Sequence, residues 1–147
     1  QMAACVAMGA AGAWTGSVWL TTEEAETAPH TKQKMLAASS RDTVRSAGRT
    51  GKPSRQLRSD WTDAWAPNPG GRKPLPLPLQ SMVAEPALRR IDKLAASGHS
   101  GAQALSTYFV GQGVGLMNKI KPAREVVLEF IEDYVAAAER LSGTLED

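Results

Sequence analysis

Residues 13–17 carry the types and order of a phosphate-binding turn. Thr15 ends an apolar run, Gly16 lets a ligand approach the backbone, and Ser17 supplies a hydroxyl where a helix would start. Backbone amides and hydroxyls at such a turn bind anions, assisted by the helix dipole. A tight turn with a serine cap explains the same residues. Local chemistry alone favours that second interpretation, because short Gly–Ser turns before helices are common.

A second glycine-rich segment, residues 111–115, has the sequence GQGVG. Its spacing is wrong for a dinucleotide-binding loop, and no buried strand precedes it. We therefore predict a helix over residues 102–118, in which the glycines let another segment pack closely.

The histidines and the single cysteine do not form a metal site. Neither His30 nor His99 has a second His, Cys or carboxylate at metal-ligand spacing, so we predict surface or capping roles and no metal. Cys5 excludes a disulfide within the chain and fits a reducing, cytoplasmic setting. We expect it to act as a small buried hydrophobe.

Residues 32–58 form a basic stretch, with eight Lys or Arg and Asp42 as the one acid. With Trp61 and Trp65 nearby, it could supply phosphate contacts and stacking surfaces to a nucleic acid. The arginines do not share one helical face, and the net charge of the chain is only +2. We therefore predict a solvated surface, or pairing with acids outside this chain, and no nucleic-acid partner. Help in binding an anionic substrate, such as a coenzyme A thioester, is a further option.

These residues must be positioned by an α/β arrangement. The opening predicts a helix over residues 1–8, a short buried strand over 12–15 and a helix capped by Ser17. Thr43 and Val44 predict a short extended piece, and residues 66–78 a Pro/Gly-rich loop. Further helices are predicted over the following segments: 29–38, 54–65, 80–97, 102–118 and 122–143.

One strand and several helices do not complete an α/β domain. A lone strand leaves its backbone groups without hydrogen-bond partners, so we expect its neighbours to lie outside this chain. No apolar run approaches the ~18 residues that a membrane span needs, and we predict no membrane partner. The sequence opens at Gln1 inside an apolar, helix-like run, which indicates a piece of a longer protein.

Residues 9–25, GAAGAWTGSVWLTTEEA, resemble the last barrel strand and phosphate turn of the nitronate monooxygenase (2-nitropropane dioxygenase-like) family. The likeness continues in order through the segments 29–34, 42–44, 50–55, 108–116 and the helix from Pro122. The family is an FMN-dependent TIM barrel. The resemblance therefore implies an α/β fold in which this chain is the C-terminal part of a (β/α)8 barrel followed by a mostly helical region, the chain itself being predominantly α-helical.

The resemblance also divides the chain and assigns site residues. Residues 1–27 would end the FMN-binding barrel, and residues 28–147 would form the C-terminal helical region. The FMN phosphate would be lined by four residues, Trp14, Thr15, Gly16 and Ser17. Ser17 stands where the family usually has Thr, and its hydroxyl can do the same work. The other half of the phosphate site and the catalytic histidine base would lie upstream of Gln1, so no catalytic residue is assigned and the chain alone should be inactive.

The resemblance implies that the whole enzyme oxidises alkyl nitronates with O2 through FMN. An FMN-dependent enoyl-thioester reductase or dehydrogenase, acting on acyl-CoA or an acyl carrier protein, shares much of the pattern and is the alternative. A non-enzymatic helical module that uses the basic stretch is the alternative from another class. The partners implied are the small-molecule substrate, O2 and the preceding barrel, and a homodimer is left open.

Overall fold

The structure, a computed structural model, describes residues 1–67 and 71–144. Helices make up 55% of it, which confirms the prediction of a predominantly helical chain. The described residues form six α helices: α1 Met2–Ala7, α2 Pro29–Ala37, α3 Asp60–Ala64, α4 Leu79–Ala96, α5 Ser100–Leu105 and α6 Ala123–Gly143. They also form three 3-10 helices: Ser17–Thr21, Ser40–Asp42 and Gln112–Leu116. None of the helices described is both long enough and apolar enough to cross a membrane.

Prolines and glycines mark several of the helix ends. Pro29 is the first residue of α2, where its missing N–H costs nothing, and Pro122 lies immediately before α6. Gly9 follows the end of α1 with a φ of +97°, a left-handed conformation that glycine adopts without strain. Pro29 and Pro122 explain why the helices over 29–38 and 122–143 were predicted with nearly correct starts.

A small antiparallel hairpin lies between α2 and α3. Strand β1, Thr43–Ser46, pairs with β2, Ser54–Leu57, so that Val44 faces Gln56. The segment around Tyr108 extends this sheet, because the amide of Leu57 donates to its carbonyl at 3.0 Å. The extended piece at Thr43 and Val44 is therefore confirmed. The helix predicted from Ser54 is wrong over 54–57, because β2 satisfies its backbone groups between two neighbouring segments.

Two other predicted elements are wrong in this structure. Residues 12–16 have no regular structure and are mostly exposed, so the predicted buried strand is absent there. An extended segment without a neighbour has nothing to bond to, whereas β1 and β2 bond to each other. The predicted helix over 102–118 is broken into α5 and the third 3-10 helix. The chain between them runs along β2, where the amide of Val110 donates to Arg55.

The hydrophobic core lies between α2, the hairpin and the third 3-10 helix. Its buried members are Met35, Leu57, Val110, Val114 and Met117. Val18 and Leu20, from the first 3-10 helix, pack against this core. The core therefore fixes the first and third 3-10 helices, the two elements next to the candidate site, against each other. The Pro/Gly-rich loop over 66–78 lies partly outside the described residues, at 68–70.

Candidate functional site

A cleft of about 610 Å³ opens where the first and third 3-10 helices meet α1 and α6. Thr15, Gly16 and Ser17 line it on one side, together with Gly111 and Gly113. We call it the Ser17 cleft. The two glycine-bearing segments, about a hundred residues apart in the chain, thus meet at one place, as expected from the packing predicted for residues 111–115.

A hydrogen bond joins the two segments directly. The backbone amide of Gly111 donates to Ser17 Oγ at 2.7 Å. A β-carbon added at Gly111 would lie 3.3 Å from that oxygen, so a glycine suits the close approach. Ser17 was predicted to cap the following helix, and this is wrong: Gly16 holds the capping position, and the Ser17 hydroxyl binds Gly111 instead.

The Thr15 side chain is held from the other direction. The indole N–H of Trp19 donates to Thr15 Oγ1 at 3.1 Å and to the Thr15 carbonyl at 3.2 Å. The Trp19 ring in turn packs against Phe130 of α6, with ring centroids 6.1 Å apart. Trp19 therefore both packs against α6 and orients Thr15 at the cleft wall.

Each of the two hydroxyls keeps a proton that it can donate to a ligand. Each hydroxyl oxygen already accepts a hydrogen bond, Thr15 from an indole and Ser17 from an amide. A hydroxyl has one proton to donate, and neither proton meets an acceptor among the described residues. A phosphate oxygen, which accepts only, is the chemical complement of such a pair.

The remaining predicted site residues differ in their placement. Gly16 lines the cleft, and a β-carbon built on it would meet no atom within 4 Å, which leaves space for a ligand. Trp14 is fully exposed and does not line the cleft. Cofactor binding by Thr15, Gly16, Ser17 and Trp14 stays a prediction.

The opposite wall of the cleft comes from α6, which was predicted only as a helix over residues 122–143. Its lining residues are Val126, Glu129, Phe130, Asp133 and Tyr134. The Lys121 ammonium contacts Glu129 and offsets its charge. None of the described residues that line the cleft is a Lys or Arg, so an anion would be bound there through hydroxyls and backbone amides.

The residues fit the phosphate end of FMN. The donor set consists of two hydroxyls that accept internal bonds and keep their protons, beside a glycine with open space around it. Phe130 and Met117 give the same cleft an apolar surface, which suits a flavin ring system. The chemistry of the donors therefore agrees with one side of a flavin phosphate site.

The other candidate residues have structural roles. His99 Nδ1 accepts from the amide of Ala102 and so caps α5, which confirms the predicted capping role. His30 is not on the surface as predicted: it is partly buried, with Nε2 3.2 Å from Ser106 Oγ. Cys5 is half-buried rather than buried. Within residues 1–67 and 71–144, no three His, Cys, Asp or Glu residues are placed to hold a metal ion.

Several cations of the basic stretch bind groups within this chain, which corrects the prediction of a solvated surface for them. Lys32 Nζ is buried and donates to the Thr22 carbonyl at 2.6 Å. Lys34 Nζ donates to the Ser106 carbonyl at 2.6 Å, and burial lowers the pKa of this lysine despite the opposing effect of Asp60. Both ammonium groups therefore hold α2 in place within this chain and are not free to bind a separate molecule.

Two further cations of the stretch are used in the same way. Arg49 pairs with Glu85 at 2.8 Å and lies over the ring of Phe109, 4.6 Å from its centroid. Arg55 donates to the Thr43 hydroxyl at 2.9 Å. The predicted pairing with acids outside the chain is therefore not needed for Arg49.

Comparisons with known proteins agree on one family. The family described as nitronate monooxygenase matches residues 1–133. Rv1533 of Mycobacterium tuberculosis, which is named as a candidate monooxygenase, is 50% identical over 147 residues. The alignment covers 99% of this chain and 39% of that relative, so the chain spans well under half of the relative's length.

Solved structures share the fold. FabK from Thermotoga maritima is 27% identical with a TM-score of 0.68, over 97% of this chain and 42% of that one. A nitroalkane oxidase from Streptomyces ansochromogenes is 24% identical with a TM-score of 0.76, over 96% of this chain and 38% of that one. The second likeness shows the fold alone. The match over residues 1–133, together with the 50% identical relative, shows that the chain belongs to the nitronate monooxygenase family.

Proposed function

We propose that Thr15, Gly16 and Ser17 hold one side of the FMN phosphate in a flavin-dependent enzyme that oxidises alkyl nitronates with O2. The observation that carries the proposal is the pair of hydroxyls in the Ser17 cleft, each of which accepts an internal bond and keeps its proton for a ligand. Membership of the nitronate monooxygenase family supports the choice of reaction. The rest of the phosphate site and of the barrel is proposed to come from the longer protein.

In the proposed enzyme, the residues of this chain bind and orient the cofactor. The hydroxyls of Thr15 and Ser17 donate to phosphate oxygens, while Trp19 and Gly111 hold those hydroxyls in place. The redox chemistry between the nitronate and O2 would be supplied by FMN when it is bound. No histidine lines the cleft, so the proposal assigns no catalytic base to it.

Flavin content and substrate choice test the proposed function. The natural protein that contains these residues is purified, its bound flavin is identified after release, and O2 consumption is followed with an alkyl nitronate. We expect bound FMN and nitronate-dependent O2 consumption without added NADH or NADPH. A protein without flavin, or one with FMN that leaves nitronates unchanged, would contradict the proposal.

A second candidate is an FMN-dependent reductase or dehydrogenase acting on an enoyl thioester. The resemblance described above includes such enzymes, and the structural likeness to FabK from Thermotoga maritima, over 97% of this chain, keeps this candidate open. It uses the same Ser17 cleft and the same cofactor. NADH or NADPH oxidation that depends on an enoyl thioester, with no nitronate activity, would favour it.

A non-enzymatic module that uses the basic stretch is less well supported. Lys32, Lys34, Arg49 and Arg55 bind groups of this chain, as described above, and are not available together as a polyanion-binding surface. We propose that the whole enzyme acts in the cytoplasm on a small-molecule substrate and O2. Whether it forms a homodimer is left open.

A further inference from the structure

A second cleft, of about 760 Å³, lies between the hairpin, α3 and residues 71–74. Its volume is in the range of pockets that bind nucleotide-sized ligands. We call it the basic cleft, because its lining carries four cations: Arg45, Arg58, Arg72 and Lys73. It shares no lining residue with the Ser17 cleft.

The four cations of the basic cleft have no partner among the residues that the structure describes. None of the four makes an ion pair or a side-chain hydrogen bond with the residues that the structure describes, whereas Lys32, Arg49 and Arg55 are bonded internally. Asp63 is the one carboxylate in the lining, and Asp42 is a second acid close to Arg58. The cleft therefore has an excess of positive charge that the described residues do not neutralise.

An aromatic ring is fixed in the wall of this cleft. Trp65 lines it and is half-buried, and its ring is pressed against Gly48, where an added β-carbon would lie 2.5 Å from Trp65 Cγ. The ring of Trp61 is tilted against it, with ring centroids 6.1 Å apart and an interplanar angle of 51°. The Gly48 carbonyl accepts from the buried Gln80 side chain at 2.8 Å, which holds the backbone beneath the ring.

We propose that the basic cleft binds a nucleotide that carries at least two phosphate charges. The heterocycle packs against Trp65, and the phosphates are bound by Arg45 and Arg58 with help from Arg72 and Lys73. Tryptophan provides a stacking surface for any base, and arginine binds phosphate oxygens in a forked geometry. The four exposed cations line one half-open cleft of limited volume rather than an extended path, which favours a small ligand over a nucleic acid. The inference does not rest on the proposed function, because it uses none of the residues of the Ser17 cleft.

Calorimetric titration with ADP of the natural protein that contains these residues tests the proposal. We expect saturable binding with a Kd in the micromolar range, at least tenfold tighter than that of adenosine, which lacks the phosphates. Arg58→Gln should weaken ADP binding roughly tenfold, since it removes a charged hydrogen bond. Arg41→Gln is the matched control: it removes the same charge from an exposed position outside the cleft and should leave the Kd unchanged.

Substitutions of Trp65 test the aromatic wall separately. Trp65→Phe should retain most of the affinity and Trp65→Ala should lose roughly tenfold or more, with circular dichroism showing that each variant is folded. If Trp65→Ala unfolds the protein, the comparison of Arg58→Gln with Arg41→Gln still decides whether ADP binds in the basic cleft. The proposal is overturned if ADP gives no saturable binding, if adenosine binds as tightly as ADP, or if the two arginine variants behave alike.

Competition experiments decide between kinds of ligand. Coenzyme A and a nicotinamide dinucleotide share the ADP moiety, and displacement of ADP by either one would support the proposal and identify the larger molecule. The contrary result is displacement of ADP by single-stranded RNA or polyglutamate at a lower concentration, counted per polymer binding site, than unlabelled ADP needs. That result would overturn the proposal, because the cleft would then be part of a surface for an anionic polymer.

Discussion

Replacing Lys32 with methionine should destabilise the chain and loosen the wall of the Ser17 cleft. Lys32 is 8% exposed, and its ammonium donates to the Thr22 carbonyl at 2.6 Å and more weakly to the Glu23 carbonyl at 3.5 Å. This ties α2 to the segment that follows the first 3-10 helix. The same segment bonds the backbone at the start of α6, since the amide of Glu23 donates to the Lys121 carbonyl at 2.9 Å. Lys32 thus lies behind both walls of the cleft without lining it.

The size of the effect follows from three contributions. A hydrogen bond donated by a charged group contributes about 1.5–3 kcal/mol to stability. The Thr22 carbonyl retains one bond, from the amide of Ala25 at 3.3 Å, so it is not left entirely unpaired. Methionine also avoids the cost of burying an ammonium group, which offsets part of the loss. We expect a net loss of about 2 kcal/mol, or a fall in Tm of about 4–8 °C for a chain of this size.

Thermal unfolding of Lys32→Met, followed by circular dichroism, measures this loss. Lys52→Met is the matched control, because it makes the same change at an exposed position and should leave the Tm nearly unchanged. In the natural protein, Lys32→Met should also weaken FMN binding. If the two methionine variants melt at the same temperature, Lys32 does not hold these elements together and the reasoning is refuted.

Three further substitutions test other parts of the structure. Gly48→Ala would place a β-carbon 2.5 Å from Trp65 Cγ, so urea denaturation should show a loss of about 1–3 kcal/mol. Glu85→Gln breaks the partly buried pair with Arg49 and should cost about 1 kcal/mol, less in high salt. Asp42 has a pKa below its ordinary value of 3.8, because the backbone amide and the side-chain hydroxyl of Ser39 donate to its carboxylate. This stabilisation is present above about pH 4 and is lost as the pH falls through the folded-state pKa, so Asp42→Asn should be less stable at neutral pH and the difference should close on acidification.

Each of these predictions has a control. Gly12→Ala adds a β-carbon that meets no atom within 4 Å, and a loss as large as that of Gly48→Ala would contradict the packing argument. Glu132→Gln changes an exposed acid of α6 and should have no salt-dependent effect. A stability difference between wild type and Asp42→Asn that stays constant down to pH 2 would rule out the proposed role of that carboxylate.

Local sequence signals predicted the long helices. They failed where the structure of a segment depends on hydrogen bonds to segments distant in the chain. Pro29 and Pro122 mark helix starts regardless of context, and the apolar stripe of α6 is long enough to be unambiguous. Ser54 resembles a helix cap, but residues 54–57 form β2, which bonds to β1 on one side and to the segment around Tyr108 on the other. A local pattern does not show these partners. Residues 12–15 have a strand-like composition and no neighbour here to pair with.

The candidate site was predictable in its residue types and not in its geometry. The chemistry of Gly16 and Ser17 allowed an anion site but favoured an ordinary turn, and only the family resemblance pointed to the FMN phosphate. The contact between Ser17 and Gly111 spans 94 positions in the chain and has no local signature. The contribution of Phe130 and Tyr134 to the cleft was hidden because aromatic residues on an amphipathic helix also fit an ordinary core.

The affinity of the natural protein for FMN, compared between Ser17→Ala and Ser97→Ala, tests the central claim most directly. Ser97 also donates a hydroxyl hydrogen bond, to the Leu94 carbonyl at 2.8 Å, but lies outside the Ser17 cleft. We expect Ser17→Ala to raise the Kd for FMN by about 10–100-fold, the worth of a hydrogen bond to a charged phosphate, and Ser97→Ala to leave it unchanged. Equal FMN affinity in the two variants would contradict the assignment of the Ser17 cleft as part of the flavin site.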